Sequence, residues 1–496
     1  FDSMIAEWLI DPSSHNLGLK DMAEVQLGIL MTHIEELIGK GKTQITMDLV
    51  PVEKAAPYAA ADAEVVLRLE QKMRPRLDER KGTKLLEEIE MPLVSVLAEM
   101  EKTGITLDVP FLRQMSTELG TRLDEIIKDV YDSVGYTFNL NSTQQLSKVL
   151  FDTLRLPPPD PRNKTASGHY STSAAVLDEL SGMHPVVDLL LEYRELSKLR
   201  STYLDSLPEQ VDPVTKRVHT SYNQIGAVTG RLSSINPNLQ NIPTRSDLGR
   251  KVRQAFVASP GYVLLSVDYS QIELRIVAHM SGDEGMLSAF RAGQDIHAAT
   301  AAAIYNVPLA DVTKEQRRHA KAINFGLIYG MSAFGLSRTT NLTLGEAENF
   351  VREYFNDFPG VKNYLDGIRA QAARIGYVET MLGRRRYFPN LKNPGNQNIR
   401  AREEREAINA PIQGTAADIM KIAMIRLPAA LQQAGLSARL LLQVHDELVL
   451  ECSQAELKKT AEVVCHTMEK AYTLSIPLIA DARSGKNWGE LQELSK

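Results

Sequence analysis

Residues 262–279 read YVLLSVDYSQIELRIVAH, and this stretch decides how the surrounding chain folds. Its first half is a short apolar run rich in β-forming residues, which predicts a buried strand. Leu274, Val277 and Ala278 then take up helical spacing, so the chain passes from strand to helix around Asp268. A carboxylate at the carboxyl end of a buried strand suits catalysis. The same position also suits a cap for the following helix, and this stretch alone does not choose between the two.

A second stretch, residues 440–451, reads LLLQVHDELVLE and places two adjacent carboxylates between apolar arms. The pattern predicts a β-hairpin with Asp446 and Glu447 at its turn. Acidic turn residues are commonly only solvated. If the hairpin lies beside the strand that ends at Asp268, however, the carboxylates form a site for hard cations. Two Mg²⁺ ions held by carboxylates stabilise a phosphoryl displacement, which is polymerase or nuclease chemistry.

A third stretch, residues 317–330, reads RRHAKAINFGLIYG and predicts a helix with two different faces. Arg317, Lys321 and Phe325 rise along one stripe with Tyr329 at its edge, and an apolar face lies elsewhere around the helix. Cations followed by aromatics one and two turns later fit a nucleoside triphosphate lying along the stripe. For this helix in isolation, an exposed basic face with buried aromatic side chains is the alternative. Gly330 suits a left-handed helix end.

These three stretches resemble motifs A, B and C of the family A DNA polymerases, as found in the large, Klenow-like fragments of bacterial members. The resemblance spans residues 60–496. It continues through four shorter segments, namely TGRLSS at 229–234, NLQNIP at 238–243, QDIH at 294–297 and REAINAPIQ at 405–413.

The resemblance implies a DNA-directed DNA polymerase that adds deoxynucleotides to a primer in replication and repair. Asp268 and Asp446 would bridge two Mg²⁺ ions, for which Mn²⁺ can substitute. The backbone carbonyl of Tyr269 would be a further metal ligand, and Glu447 would have a lesser acidic role. Lys321 would bind the triphosphate and protonate the leaving pyrophosphate.

The same resemblance implies how the nucleotide and the DNA are bound. Glu273 would exclude a ribose 2′-hydroxyl, Phe325 would pack on the incoming sugar, and Tyr329 would guard the site against the template strand. The other residues implied to contact the nucleotide are Gln271, His297, Arg317 and Arg245. The residues implied to contact primer and template are Arg231, Arg405, Asn409, Gln413 and His445 near the nascent pair, and Arg194, Lys198 and Lys164 on the thumb. Arg and Gln donors in the minor groove can test the shape of a base pair without reading sequence.

The fold implied by the resemblance is an α/β (α+β) right hand with an antiparallel palm sheet, helical fingers and a helical thumb. The expected domains are a truncated 3′-5′ exonuclease-like remnant at 1–80, the thumb at 81–215, the palm at 216–290 and 400–496, and the fingers at 291–399. Apolar periodicity between residues 83 and 133 further predicts two helices that pack against each other.

Tyr58 and Asp62 lie in the segment YAAAD, which resembles the third motif of the 3′-5′ exonucleases. Two-metal hydrolysis needs several acidic ligands, so one carboxylate is too few. The other exonuclease motifs are expected upstream of Phe1, and the sequence lacks an initiator Met. We therefore expect a fragment that does not proofread.

Composition sets wider bounds. The 496 residues, 43% hydrophobic and 24% charged, predict about three or four domains. The two cysteines, Cys452 and Cys465, support neither a disulfide framework nor a structural zinc site. No apolar run is long enough to span a membrane. The family resemblance further implies a monomer in the bacterial cytoplasm, associated with the nucleoid, with a phage or organellar origin still open.

The net charge of −6 argues mildly against a nucleic-acid partner. Its distribution argues the other way, because basic residues gather within 245–253, 317–321 and 384–386. Two alternatives stay open. A single-subunit RNA polymerase is opposed by Glu273 and would reveal itself by using ribonucleotides. A non-catalytic DNA clamp would leave Asp268 and Asp446 idle and would fail to extend a primer.

Overall fold

The computed structural model describes residues 1–160, 164–244, 246–340, 342–392 and 395–494. Within these ranges, the helices do not include one long and apolar enough to cross a membrane. The segment before residue 80 forms helices. From the sequence alone, its short apolar stretches would also be compatible with strands. Its helices are α1 Ser3–Ile10, α2 Leu19–Met22, α3 Ile34–Ile38 and α4 Val52–Glu79. Trp8 and Leu69 are central to the core that α1 and α4 share.

A second group of helices leads up to the palm. These are α5 Thr83–Leu85, α6 Met91–Thr103, α7 Val109–Val134, α8 Thr143–Ser147, α9 Ala174–Leu180, α10 Pro185–Leu199 and α11 Ser206–Glu209. π-helical turns lie beside them at Leu86–Glu90, Lys148–Thr153 and Arg200–Leu204, with another at Ala23–Leu27. The 3₁₀ turns are Gly41–Thr43, Met47–Leu49 and Leu309–Asp311.

The predicted packing of the two periodic helices against each other is wrong. Leu93 and Leu97 of α6 belong to the core beneath the palm sheet, whereas Leu112 and Met115 of α7 belong to a different core that α10 shares. Periodicity identifies an apolar face but does not say which element covers that face. The predicted domain boundaries remain predictions.

The remaining helices lie between residues 247 and 469. They are α12 Asp247–Gln254, α13 Ile272–Ser281, α14 Glu284–Arg291, α15 Ile296–Tyr305, α16 Lys314–Ile328, α17 Ala333–Thr339, α18 Leu344–Asp357, α19 Pro359–Ile375, α20 Pro389–Lys392, α21 Gln397–Gln433 and α22 Leu457–Glu469.

The strands form one large sheet and three small ones. They are β1 Ile105–Leu107, β2 Arg217–Val218, β3 Ser221–Asn223, β4 Ser233–Ile235, β5 Phe256–Val257, β6 Tyr262–Tyr269, β7 Tyr377–Glu379, β8 Arg385–Tyr387, β9 Arg439–Val444, β10 Glu447–Ser453, β11 Ala480–Gly485 and β12 Gln492–Glu493. The large sheet has the order β12-β11-β6-β10-β9, and its neighbouring strands are antiparallel. This antiparallel palm sheet confirms the predicted fold class.

Both faces of the central strand are buried, which explains its continuous apolar run. Leu265 and Val267 of β6 face the core that contains α13 and α21, while Leu264 faces the core that contains α7 and α10. The apolar side chains thus fix β6 between two layers of helices. Its carboxyl end is held in place where the chain turns into α13.

Candidate active site

The strand that ends at Asp268 and the acidic hairpin are neighbours, as the sequence predicts. Asp268 on β6 is the cross-strand partner of Glu447 on β10. The backbone N–H of Tyr269 donates to the carbonyl oxygen of Asp446, 3.0 Å away. His445 and Asp446 form the turn between β9 and β10. Sheet pairing therefore brings the carboxylates of motifs A and C to one edge.

Asp268 does not cap the helix that follows it. Helix α13 begins at Ile272, and Gln271 occupies the capping position with a left-handed backbone at φ 56°. The alternative role considered for Asp268 is therefore wrong. Three residues of extended and turning backbone separate the carboxylate from the helix, so its side chain is available to the cleft.

The electrostatics of this edge favour a bound cation. The surrounding protein, together with Glu447 and Asp446, raises the pKa of Asp268 to about 7, although one side of the residue is open to the cleft. Burial also raises the pKa of Asp446, and Arg231 opposes that rise. Carboxylates crowded in this way disfavour one another's ionised forms, and a divalent cation would relieve the repulsion.

The donor set fits Mg²⁺. Mg²⁺ usually takes one or two carboxylates and completes its shell with water and substrate phosphates. Asp268 and Asp446 would supply the two carboxylates. In the part of the chain that the structure describes, no group of three or more His, Cys, Asp or Glu side chains is arranged to hold a metal ion. The site thus has the ligand number expected where a nucleotide brings the remaining oxygens.

Glu447 is held away from a primary role by its hydrogen bonds. Its Oε1 accepts from the Ser266 hydroxyl at 2.6 Å and from the Trp488 indole N–H at 2.9 Å. Arg253 lies 4.0 Å from Oε2 and stacks on Trp488. These contacts fit the lesser role predicted for Glu447. The phenol of Tyr269 donates to the Met468 carbonyl at 2.7 Å, and the ligand role of the Tyr269 carbonyl stays a prediction.

Helix α16 faces this edge across the cleft. Arg317 and Lys321 are exposed, Phe325 and Tyr329 are half-buried, and the apolar side chains Ala320, Ile323 and Leu327 are buried. The helix ends at Ile328, and Gly330 follows with a left-handed backbone at φ +68°. The predicted division of this helix into two faces is confirmed.

Arg317 has a partner that the sequence analysis missed. Its guanidinium binds the Asp295 carboxylate at 2.6 Å. The same carboxylate caps α15 by accepting from the backbone N–H of His297 and Ala298. Although partial burial opposes ionisation, these donors lower the pKa of Asp295. The signal was present in the segment QDIH, because an Asp just before a helical run is a common cap. For Lys321, the described residues offer no ion-pair partner.

His297 is a neutral ring rather than a third cation. Burial lowers its pKa to about 4. Its Nδ1 lies 3.1 Å from the side-chain amide of Asn324, which also donates to Thr300. With Nδ1 accepting, the ring proton is on Nε2, where it can serve as a hydrogen-bond donor. No sequence pattern singles out Asn324, which reads as an ordinary polar helix residue.

Glu273 lies between two partners. Its carboxylate accepts from Arg231 at 2.6 Å and from the hydroxyl of Tyr329. Burial raises the pKa of Glu273, while Tyr329 and Arg231 oppose the shift. The buried carboxylate is thereby fixed in one position on the cleft wall. The residues that line this one cleft are Arg231, Asp268, Tyr269, Gln271, Ile272, Glu273, His297, Arg317, Lys321, Phe325, Tyr329, His445 and Asp446.

Three of the residues predicted to contact DNA near the nascent pair form a stripe on α21. Arg405, Asn409 and Gln413 follow each other at one-turn intervals and keep part of their surface open, whereas their neighbours are mostly buried. Among the described residues, the Asn409 Oδ1 finds no hydrogen-bond partner. A Cβ at Gly330 would lie 3.0 Å from Arg405, so the end of α16 abuts this stripe.

Several predicted residues lie away from the cleft. Arg194 donates to the carbonyl and hydroxyl of Thr172, Lys198 is exposed on α10, and the ammonium of Lys164 lies 5.0 Å from the Tyr170 ring. Their DNA contacts stay predictions. The predicted nucleotide contact Arg245 lies outside the described residues.

The basic triplet at 384–386 is not the surface patch that the sequence indicated. Arg384 and Arg385 are buried, and Arg386 is partly buried beside Glu406. Buried cations in ion pairs contribute little to a DNA-attracting surface field. The partners of Arg384 give it a different place in the molecule.

Comparison with known families agrees with this geometry. The model of DNA polymerase family A matches residues 109–490, and that of the 3′-5′ exonuclease matches residues 1–78. The chain belongs to family A of the DNA polymerases. The motif residues of this family A chain at 268, 321 and 446 all fall within the first match.

Relatives of this family A chain include bacterial enzymes. It is 48% identical over 492 residues to DNA polymerase I of Pseudomonas aeruginosa, covering 99% of this chain and 54% of the relative. It is 48% identical over 422 residues to the thermostable DNA polymerase I of Thermus thermophilus, covering 85% of this chain and 50% of the relative. The chain therefore spans about half the length of the curated relatives it matches.

A solved structure is similar throughout the chain. The POL domain of Pol1 from M. smegmatis, in complex with DNA primer-template and dNTP, superposes with a TM-score of 0.89 at 39% identity. The alignment covers 98% of this chain and 82% of that one. The right-hand fold is thus shown for almost the whole family A chain.

Proposed function

We propose that this chain catalyses template-directed addition of deoxynucleoside monophosphates to a primer 3′-hydroxyl. The observation that carries the proposal is the placement of Asp268 and Asp446 in one cleft with Arg317, Lys321 and Phe325. The primer oxygen would attack the α-phosphorus, and the bond from that phosphorus to the bridging oxygen would break, releasing pyrophosphate. The known complex of the mycobacterial relative with primer-template and dNTP supports DNA and nucleotide as partners.

Divalent metal ions are general to the family, and we propose two Mg²⁺ ions, replaceable by Mn²⁺, held by Asp268 and Asp446. When bound, such ions offset the negative charge of the attacking and leaving oxygens. The chain's own residues orient the nucleotide. Arg317 and Lys321 bind the triphosphate, and the Nε2–H of His297 adds a neutral donor. Lys321 lies close to the leaving pyrophosphate and donates a proton to it.

The walls of the cleft select the sugar and the base pair. Phe325 packs on the deoxyribose, with its ring 5.6 Å from His297 and stacked on Tyr329 at 6.4 Å. Glu273 occupies the space that a 2′-hydroxyl needs. Arg231 and the α21 stripe test the minor groove of the nascent pair.

We further propose that the protein acts as a monomer in the bacterial cytoplasm, associated with the nucleoid.

Primer extension tests the proposal. With a primer-template, four deoxynucleoside triphosphates and Mg²⁺, the chain should lengthen the primer to the end of the template. Chelation of the metal should stop extension, and ribonucleoside triphosphates should replace the substrates poorly. A chain that binds the duplex without extending it would be a clamp. One that prefers ribonucleotides would be an RNA polymerase.

We predict that Asp295→Asn strengthens nucleotide binding. The ion pair with Asp295 holds Arg317 away from a triphosphate, and exposed ion pairs are worth about 0.2–1 kcal/mol, so KM should fall by about 1.4-fold to fivefold. Asparagine caps helices as well as aspartate does, which keeps α15 intact. Steady-state kinetics measure the effect, with Asp247→Asn, which changes an exposed carboxylate outside the cleft, as control. A raised KM would contradict the competition.

We also predict that the chain does not remove mismatched primer ends. Tyr58 would have to orient a water molecule, but the Lys20 ammonium lies 3.4 Å from its hydroxyl and 4.5 Å from the centre of its ring. Asp62 is one turn away on α4. A 3′-mismatched primer incubated with Mg²⁺ and no nucleotides should keep its length. Shortening that Asp62→Ala abolishes would overturn the prediction.

A further inference from the structure

A buried cluster of four charged side chains lies behind the cleft wall and has no part in the chemistry proposed above. It consists of Glu90, Arg384, Asp418 and Lys421, whose exposed fractions are 0%, 4%, 0% and 1%. The four residues come from the π-helical turn before α6, the loop between β7 and β8, and helix α21. The cluster thus ties three separate parts of the chain together.

The charges are paired within the cluster. Arg384 donates from Nε and Nη2 to Asp418 Oδ1, at 2.9 and 2.6 Å, and also donates to Glu90. Lys421 donates to both oxygens of Glu90, at 2.7 and 3.0 Å. Burial alone would raise the pKa of Glu90, but Lys421 and Arg384 lower it to about 2. Glu90 is therefore ionised at neutral pH, and the cluster combines two acidic with two basic side chains.

Neighbouring side chains leave Arg384 little freedom. The Trp8 ring lies 4.9 Å from its guanidinium carbon. The Thr380 hydroxyl donates to Asp418 Oδ2 at 2.9 Å and accepts from the backbone N–H of Arg384 at 3.1 Å. Buried ion pairs are weak evidence for stability, because apolar side chains of similar volume often stabilise a fold as well. Stability alone therefore does not explain why these four charged side chains are buried together.

The reason lies in the turn at Thr229, Gly230 and Arg231. Gly230 has φ +89°, and a Cβ there would lie 2.7 Å from Arg384 Nε and 2.9 Å from its Cδ. On the other side, a Cβ at Gly414 of α21 would lie 3.0 Å from the Thr229 carbonyl oxygen. The backbone of the turn is held between the Arg384 side chain and α21. The next side chain, Arg231, reaches Glu273 in the cleft.

We propose that Arg384, locked by Glu90 and Asp418, is a positioning residue for Arg231. It sets the place of the Gly230 backbone and so the direction of the Arg231 guanidinium toward Glu273 and the nascent pair. Lys421 pairs with Glu90, the second carboxylate of the cluster. This role rests on the proposed function of the cleft, and it assigns control of the cleft to a side chain that lies behind its wall.

A double-mutant cycle tests the proposal. Arg384→Lys keeps the charge and loses the planar fork. It should lower kcat/KM for the correct nucleotide about tenfold, mainly through kcat, because small misplacements of a cleft residue can cost up to ~100-fold. In an Arg231→Ala background, the same change should cost less than about twofold, since residues acting through one another are not additive. The ratio of ribonucleotide to deoxynucleotide use should shift as it does in Arg231→Ala.

Arg217→Lys is the matched control. Arg217 pairs with the buried Glu451 at 3.0 Å, in a different part of the palm. This variant should lower the thermal midpoint and leave kcat/KM per active site unchanged. If Arg384→Lys does not fold, Asp418→Asn, which keeps the volume of the side chain, replaces it in the cycle.

The outcomes separate this inference from the proposed function. A parent chain that does not extend primers removes both. A parent that extends primers, with losses from Arg384→Lys and Arg231→Ala that multiply independently, overturns the positioning role alone. Failure of both cluster variants to fold also overturns it, because the cluster is then purely structural.

Discussion

Replacement of either Asp268 or Asp446 by Ala is expected to reduce nucleotide addition by about 10³-fold or more, because several kcal/mol of transition-state stabilisation are lost. Binding of primer-template should change little, since the proposed metal ions would act on the triphosphate more than on the duplex. Single-turnover extension measures the first quantity, and fluorescence anisotropy of labelled duplex measures the second.

Two further variants serve as controls for this prediction. Asp62→Ala removes a carboxylate outside the cleft and should leave extension unchanged. Glu447→Gln should cost far less than either aspartate variant, because Ser266 and Trp488 already occupy one of its oxygens. Extension by Asp268→Ala or Asp446→Ala within about tenfold of the parent, against the 10³-fold loss expected for a metal-binding carboxylate, would sink the assignment.

The second large effect is expected for Glu273→Ala. Removal of the buried carboxylate opens space beside the 2′ carbon, so ribonucleotide use should rise about 100-fold relative to deoxynucleotide use, in the range of differences that a small steric change produces. Deoxynucleotide use should fall moderately, because Arg231 and Tyr329 lose their shared partner. Ratios of kcat/KM for paired substrates report the selectivity.

Tyr329→Phe is the matched control for the gate. It removes one hydrogen bond to Glu273 and leaves the carboxylate in the cleft, so the ratio should move little. An unchanged ratio of ribonucleotide to deoxynucleotide use in Glu273→Ala would refute the gate.

From the family resemblance, Phe325→Tyr should ease the use of dideoxynucleotides.

Much of the cleft can be predicted from sequence because its parts are local. An apolar run that ends at Asp268, an acidic turn at Asp446 and a cationic stripe on α16 each leave a pattern within about twenty residues. β6 and β10 are far apart in the sequence, so their pairing leaves no local pattern. The pairing is nevertheless indicated, because the carboxylates of the two segments would share a cation. Family resemblance then supplied roles that local patterns do not contain.

Other features depend on contacts that no local pattern records. The apolar face of α6 gives no sign that it packs beneath the palm sheet rather than on α7. Arg384 reads as part of a basic surface run, because its partners Glu90 and Asp418 are remote in sequence. Asn324 is likewise defined by its tertiary neighbour, His297. Long-range polar pairing thus limits what a single sequence predicts.

We propose that this cleft copies a template into DNA. The most direct measurement is the rate of single-nucleotide addition for each of the four deoxynucleotides opposite each of the four template bases. We predict that each template base selects its Watson–Crick partner by about 100-fold or more, because only the fitting pair completes the cleft. Addition that does not depend on the template base, or that persists in Asp446→Ala, would contradict template-directed synthesis by this cleft.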